Sequence, residues 1–310
     1  MKTAFLFPGQ GSQQVGMGRS LFETSPAARE MFERADEALG FSLSKLCFEG
    51  PEDELRLTAN TQPAILAVSV AALSAFEALG ARTDFVAGHS LGEYSALVGA
   101  GSMKFEDAIK TVRRRGEFMQ EAVPAGEGAM AALLGLPINA VESLCEEASS
   151  LGVCAPANIN SPSQTVIAGN KAAVERAAEL ARLKGAKRVV MLPVSAPFHC
   201  ELMKPAAERL TAVLNEIDFK DLSVPLVTNV DARLITSGEE ARDSLLRQVT
   251  SPVRWSESVQ LLIDQGVGRF VEIGPGKVLS GLVRQISRDC RLFNVEDARS
   301  LDAAAASLEL

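Results

Sequence analysis

Two histidines, five scattered cysteines and no long run of any one residue type set the first limits on this 310-residue chain. The cysteines, Cys47, Cys145, Cys154, Cys200 and Cys290, include no C-x-x-C pair and form no zinc-like cluster with the histidines. A disulfide scaffold and a metal site are therefore not expected, and the thiols read as reduced, in the cytoplasm. No stretch of Lys and Arg is long enough to track a phosphate backbone, and 31 basic against 39 acidic residues leave a net charge of −8, so nucleic acid is excluded as a partner. The longest apolar run, Ala64 to Phe76, is about 13 residues, short of the roughly 18 a bilayer span needs, and reads as a buried helix. At the N-terminus Lys2 is followed only by TAFLF before Pro8 and Gly9, too little for the apolar core of a secretory signal. GPGKV at Gly274 to Val278 lacks the spacing of a nucleotide-phosphate loop and reads as a structural turn. No internal repeat is present.

The chain does have 47% apolar residues, enough for one large core or a core with a smaller second domain. Strands are expected at Lys2 to Phe7, at Thr83 to Ala87, and within VPLVTNV and GRFVEIG. Helices are expected at SPAAREMFERADEALG, from Phe105 to Ala122, around Ser256 to Gln265 and from Val278 to Ser287. SPAAREMFERADEALG carries a Ser cap, a Pro at the first turn and a closing Gly. Alternating strands and helices imply a mainly parallel sheet covered on both faces. VPAGEG is a linker, and beyond it the order over Ala129 to Val194 becomes βαββαβ, with Asn170 and Gly185 bounding the second helix. That order is the ferredoxin-like split βαβ arrangement. The expected division is a large α/β domain over 1–126 and 196–310, with an inserted ferredoxin-like small domain over 127–195.

One stretch invites chemistry. In FVAGHSLGEYSALVGAG, Ser90 stands between Gly88 and Gly92, after a strand and before a helix of small residues. This is the pattern of a nucleophile elbow, in which a sharp strand-to-helix turn exposes the serine hydroxyl and the N–H of the next residue, Leu91, faces a developing oxyanion. A serine needs a base. His89 adjoins Ser90, so its ring should project away; His199, in LPVSAPFHC, remains by elimination. No acidic residue between serine and histidine announces itself as the partner of the imidazole, and a backbone carbonyl would serve instead. Arg113, Arg114 and Arg115 lie about 100° apart on one helix, so at most one points squarely into a cleft, and the sequence does not choose among them.

With FPGQGSQ, GHSLGEYSAL, RRGEFMQ, the His199 segment and EIGPGKVL in order along nearly the whole chain, the sequence resembles the malonyl-CoA:acyl carrier protein transacylases of fatty-acid synthesis. The resemblance implies an α/β-hydrolase-like large domain, a malonyl ester on Ser90, His199 as general base and acid, and an oxyanion hole from the N–H groups of Gln10 and Leu91. It further implies support of His199 by the backbone carbonyl of Gln248 and binding of the malonyl carboxylate by Arg115. An arginine there has its own physical case, because a carboxylate enters a water-poor pocket only when paired, and a guanidinium does so with two parallel bonds. Phe198 matches a malonyl-selective position or else packs the core, and Asn158 and Asn160 match residues facing the pocket or else form turns. The implied substrates are malonyl-CoA and the phosphopantetheine thiol of acyl carrier protein, with no permanently bound cofactor, no metal, no membrane and a monomeric enzyme. Lys184, Lys187, Arg188 and Arg284 are candidates for docking the acidic carrier. A serine hydrolase and a non-catalytic carrier-binding module are the alternatives.

Overall fold

A computed structural model describes residues 1–194 and 196–310; the expected domain junction at Ser195 lies outside the described residues. Among the described residues ten strands form two sheets, numbered here in chain order: β1 (Lys2–Phe7), β2 (Phe85–Gly88), β3 (Gly128–Leu134), β4 (Cys154–Ser161), β5 (Gln164–Asn170), β6 (Arg188–Met191), β7 (Leu226–Val227), β8 (Leu234–Ile235), β9 (Val267–Ile273) and β10 (Arg291–Val295). The six-stranded sheet has the order β10-β9-β1-β2-β7-β8 and is parallel except for β8, which pairs antiparallel with β7. Its central strand β1 is apolar and almost wholly buried, as a strand covered on both faces must be. The second sheet is antiparallel in the order β4-β5-β3-β6. Helices Ile138–Ala148 and Lys171–Leu183 pack on it around Val141, Leu144, Val174 and Ala177, giving it a core of its own. The βαββαβ order expected from the sequence is thus observed.

Between β1 and β2 the chain is helical, and its longest helix, Thr58–Ala78, is apolar on every side and therefore buried. By length and composition this helix would suit a membrane, but 89% of its apolar window is covered by the rest of the protein. It extends well beyond the run expected at Ala64 to Phe76, because its polar first turns are provided for. Thr61 Oγ1 donates to Leu55 O at 2.6 Å. Pro63, lacking an N–H, leaves the Ala59 carbonyl without its helical donor, and Arg113 Nη1 donates to that oxygen at 3.1 Å.

Several local expectations change. Ser25 does cap helix Pro26–Leu39, accepting from the Ala28 N–H, and Gly40 closes it in the left-handed region. Asn170, however, makes no side-chain cap; its Oδ1 accepts instead from the Val153 N–H at 2.7 Å and so ties the start of β4 to β5. The strand expected in VPLVTNV shortens to Leu226–Val227, and the small edge strand β8 and the outer strand β10 were not expected. The two sheets are joined by a short backbone strap: Val253 N–H donates to Ala157 O, and Ile159 N–H to Val253 O, each at 2.8 Å.

Candidate active site

β2 ends at Gly88 and helix Gly92–Gly99 begins four residues later, leaving His89 to Leu91 to make the turn. Ser90 sits at φ 52°, in the left-handed region, so the bend is strained at a residue that is not glycine. The bend is also tight. A Cβ at Gly88 would lie within the backbone of Gly92, and one at Gly92 would lie within the backbone of Phe7 at the end of β1. Both positions need glycine because main chain abuts main chain.

His199 reaches this turn from the segment following the second sheet, itself at φ 60°. Its Nε2 stands 2.7 Å from Ser90 Oγ and its Nδ1 stands 2.9 Å from the carbonyl oxygen of Gln248. A carbonyl only accepts, so the ring proton is on Nδ1, Nε2 accepts, and Ser90 donates. Burial, reinforced by the Arg115 cation, pushes the imidazole pKa down to about 3. His199 is therefore neutral at neutral pH, as a proton acceptor must be.

Of the three consecutive arginines in helix Phe105–Glu121, only Arg115 turns inward, and it is 2% exposed. Gly116 allows this, since it brings the helix against the backbone of Thr58 and Ala59, where a Cβ would collide. Arg115 Nη1 donates to Gln62 Oε1 at 2.8 Å, and Nη2 donates to Ser90 Oγ at 3.2 Å and to Gln248 Oε1 at 3.0 Å. These partners are all neutral, and Nε has none among the described residues. Arg113 turns to the start of helix Thr58–Ala78 and to Glu117, while Arg114 is exposed.

A cleft of about 310 Å³ opens beside the turn, lined by Gln10, His89, Asn158, Asn160, Leu192 and Leu279 among others. Its walls come from the loop after β1, from the second sheet and from helix Val278–Ile286. His89 points away from Ser90 Oγ, its Nε2 lying 2.8 Å from Asn160 Oδ1 and its ring beside Trp255. Gln10 reaches Thr58 Oγ1 at 3.4 Å from a loop pressed against the elbow, where a Cβ on Gly9 would meet the His89 carbonyl. Leu91 is buried at the first turn of the following helix. Phe198 is 8% exposed and belongs to the main hydrophobic core.

Four polar residues that sequence reasoning did not single out complete the site: Gln62, Glu93, Asn229 and Ser244. Glu93 is fully buried, and its carboxylate accepts from Ser244 Oγ at 3.0 Å, Asn229 N at 3.1 Å and Gln248 Nε2 at 2.8 Å. Burial raises its pKa to about 7 against the lowering effect of those donors. Asn229 Oδ1 accepts from the Ser90 N–H at 2.7 Å, and Asn229 Nδ2 donates to Gly88 O at 2.6 Å, clamping the elbow from both sides. The available signals were an acid in the first turn of an otherwise small and apolar helix, and an asparagine at the carboxyl end of a strand neighbouring the elbow.

Comparison with known proteins identifies the family. The acyl transferase domain model matches residues 4–304. The malonyl CoA-acyl carrier protein transacylase of Bacillus subtilis is 52% identical over 309 residues, covering 99% of this chain and 98% of its own. Among solved structures, the malonyl CoA-acyl carrier protein transacylase of Coxiella burnetii superposes with a TM-score of 0.97 at 44% identity, covering 99% of this chain and 98% of that one. A malonyl-transacylase in complex with its type II PKS acyl-carrier protein gives a TM-score of 0.97 at 46% identity, covering 99% of this chain and all of that one. The chain belongs to the acyl transferase domain family, among its malonyl CoA-acyl carrier protein transacylases.

Proposed function

We propose that this enzyme transfers the malonyl group from malonyl-CoA to the phosphopantetheine thiol of acyl carrier protein through a malonyl ester on Ser90. The observation that carries the reading is a buried cation with only neutral partners, 3.2 Å from a hydroxyl that already donates to a neutral imidazole. Ser90 Oγ attacks the thioester carbonyl while its proton passes to His199 Nε2, and the N–H groups of Leu91 and Gln10 receive the oxyanion. The carbon–sulfur bond breaks and the CoA sulfur leaves with that proton. The carrier thiol then gives its proton to His199 and attacks the ester, and Ser90 departs as the alcohol, taking the proton back. Gln248 O holds Nδ1–H throughout. Thioester is exchanged for thioester, so the task of the site is to exclude water rather than to drive the reaction uphill.

Arg115 gives the acyl specificity. An unpaired guanidinium in a dry site is costly, and the free carboxylate of a malonyl group pairs with it where an acetyl or other neutral acyl group does not. Asn158 and Asn160 line the acyl pocket, and Phe198 supports it from the core. In this reading the six-stranded sheet and its helices are an α/β-hydrolase-like domain over 1–126 and 196–310. The antiparallel sheet is an inserted ferredoxin-like domain over 127–195, and the substrate lies between them. The enzyme works as a cytoplasmic monomer without a bound cofactor. Lys187 and Arg188 are exposed on the inserted domain and Arg284 on helix Val278–Ile286, whereas Lys184 is already paired with Glu147 at 2.9 Å. The first three are the better candidates for meeting an acidic carrier.

Mass spectrometry after mixing with malonyl-CoA tests the chemistry. An adduct of malonyl mass on the Ser90 peptide, discharged by carrier protein and persistent in buffer, is expected; its absence overturns the serine assignment, and rapid loss to water marks a hydrolase. Replacing Arg115 with Ala should lower malonyl transfer at least a hundredfold, the order expected for losing a buried charge pair, and acetyl transfer far less. An equal fall in both would remove the carboxylate from Arg115.

A further inference from the structure

Gln248 touches Ser90, His199, Arg115 and Glu93 at once. Its backbone carbonyl holds His199 Nδ1 and its side-chain Oε1 holds Arg115 Nη2, while its Nε2 donates to Ser90 O at 3.1 Å and to Glu93 Oε2 at 2.8 Å. A primary amide has one accepting and one donating end, and only one of its two orientations works here. With Nε2 toward Glu93, Ser90 O and Asn229 Oδ1, each close contact joins a donor to an acceptor. Turned over, the amide would set its NH₂ against the guanidinium and its oxygen against three acceptors.

Glu93 decides the orientation. Its carboxylate is the shortest of the three contacts to Nε2, it is wholly buried, and it is itself fixed by Ser244 and the Asn229 N–H. It stands next to the helix N-terminus, where negative charge is favoured. The structure gives it no direct bond to Arg115, so the cation, though Glu93 acts on it across Gln248, keeps only neutral hydrogen-bond partners and remains available for a charged acyl group.

We infer that Glu93 is a positioning residue for acyl selectivity: through the side-chain amide of Gln248 it locks the Arg115 guanidinium in the place where the malonyl carboxylate is received. Its carboxylate reaches neither substrate nor the Ser90 hydroxyl, and its only bond to Ser90 is from its backbone N–H to Ser90 O at 3.0 Å. The requirement is for an accepting oxygen at that reach rather than for charge. Gln at position 93 meets it, since its carbonyl accepts from Gln248 and Asn229 while its NH₂ donates to the Ser244 hydroxyl. Asp keeps the charge but withdraws the oxygen by one methylene.

The inference rests on the reading of Arg115 given above, and the experiment separates the two. Malonyl and acetyl transfer are measured for wild type, Arg115→Ala, Glu93→Gln, Glu93→Asp and Gln248→Ala, with thermal midpoints to identify unfolded protein. Gln248→Ala keeps the backbone carbonyl that holds His199. Expected is a malonyl-to-acetyl ratio of kcat/KM within about threefold of wild type for Glu93→Gln and lowered about tenfold or more for Glu93→Asp and Gln248→Ala, roughly the factor for 1.4 kcal/mol. The loss should appear mainly in the KM for malonyl-CoA. The Glu93→Asp, Gln248→Ala double variant should be no worse in this ratio than Gln248→Ala alone, because both remove one linkage. A ratio that falls in Arg115→Ala but holds in Glu93→Asp and Gln248→Ala overturns the inference and leaves the Arg115 reading standing. A fall in Glu93→Gln equal to that in Glu93→Asp also overturns it, assigning the effect to charge. If Glu93→Asp does not fold, the comparison of Glu93→Gln with Gln248→Ala decides in the same way. An unchanged ratio in Arg115→Ala overturns both readings.

Discussion

His199 illustrates how a single residue takes its chemistry from its surroundings. In the folded protein its pKa is lowered to about 3, first by burial and then by Arg115, whereas in the unfolded chain it has the ordinary value near 6.5. As pH falls below 6.5 the unfolded chain binds the proton first, so the stability associated with this residue is complete above pH 6.5 and is lost between 6.5 and 3. Denaturant unfolding at pH 7 and pH 5 should show wild type losing about 2 kcal/mol more than His199→Gln, the linkage value for a one-and-a-half-unit window. Equal losses would mean that the ring is not held neutral. For the same reason acylation of Ser90 should show no acid limb near pH 6.5. At this scale the sequence was informative where a residue type is scarce: with two histidines, elimination reached His199. It was uninformative where a role depends on the end of an amide or on which turn of a helix faces inward. Gln248 as a side chain, Gln62 and Ser244 are polar residues of common types, and nothing local distinguishes them from surface ones.

At the scale of elements, the elbow was legible because its glycines are forced by backbone crowding, which any sequence making that turn must respect. Gly92→Ala should destabilise the protein by at least about 3 kcal/mol, since the new methyl meets the main chain of β1, which cannot move without disturbing the sheet. Gly185→Ala, at a helix end with φ +89° and open space around the would-be Cβ, should cost only about 1 kcal/mol. Thermal melts of the two variants would check the order, and equal shifts would remove the crowding argument. The βαββαβ run was legible from its alternating periods and its turn residues. Strands β7, β8 and β10 were less so: the first two are two residues long, and β10 is an outer strand of which only Val295 is fully buried, so none has a strong pattern. The reach of helix Thr58–Ala78 was hidden by its polar beginning and by Pro63, whose vacated acceptor is served by Arg113 from another helix.

For the molecule as a whole, the site exists because residues distant in sequence are brought to one place by the two sheets. Ser90 and Arg115 come before the antiparallel sheet in the chain and His199 after it, so the path of the intervening segment bears on where His199 lands. The strap from Val253 to Ala157 and Ile159 fixes that segment to the rest. Val253→Pro removes the donor to Ala157 and should lower kcat/KM about tenfold or more while leaving far-ultraviolet circular dichroism nearly unchanged; full activity would show that the strap is dispensable.

The solitary guanidinium described above has one more outcome, which concerns the loaded protein rather than the reaction. In the empty enzyme none of the hydrogen-bond partners of Arg115 is charged, the buried Glu93 carboxylate acting on it only across Gln248, and a malonyl ester on Ser90 would set a carboxylate directly against the guanidinium. Cargo would then act as part of the architecture: protein trapped with malonyl on Ser90 should melt several degrees above the same protein carrying acetyl, and in Arg115→Ala that gap should close.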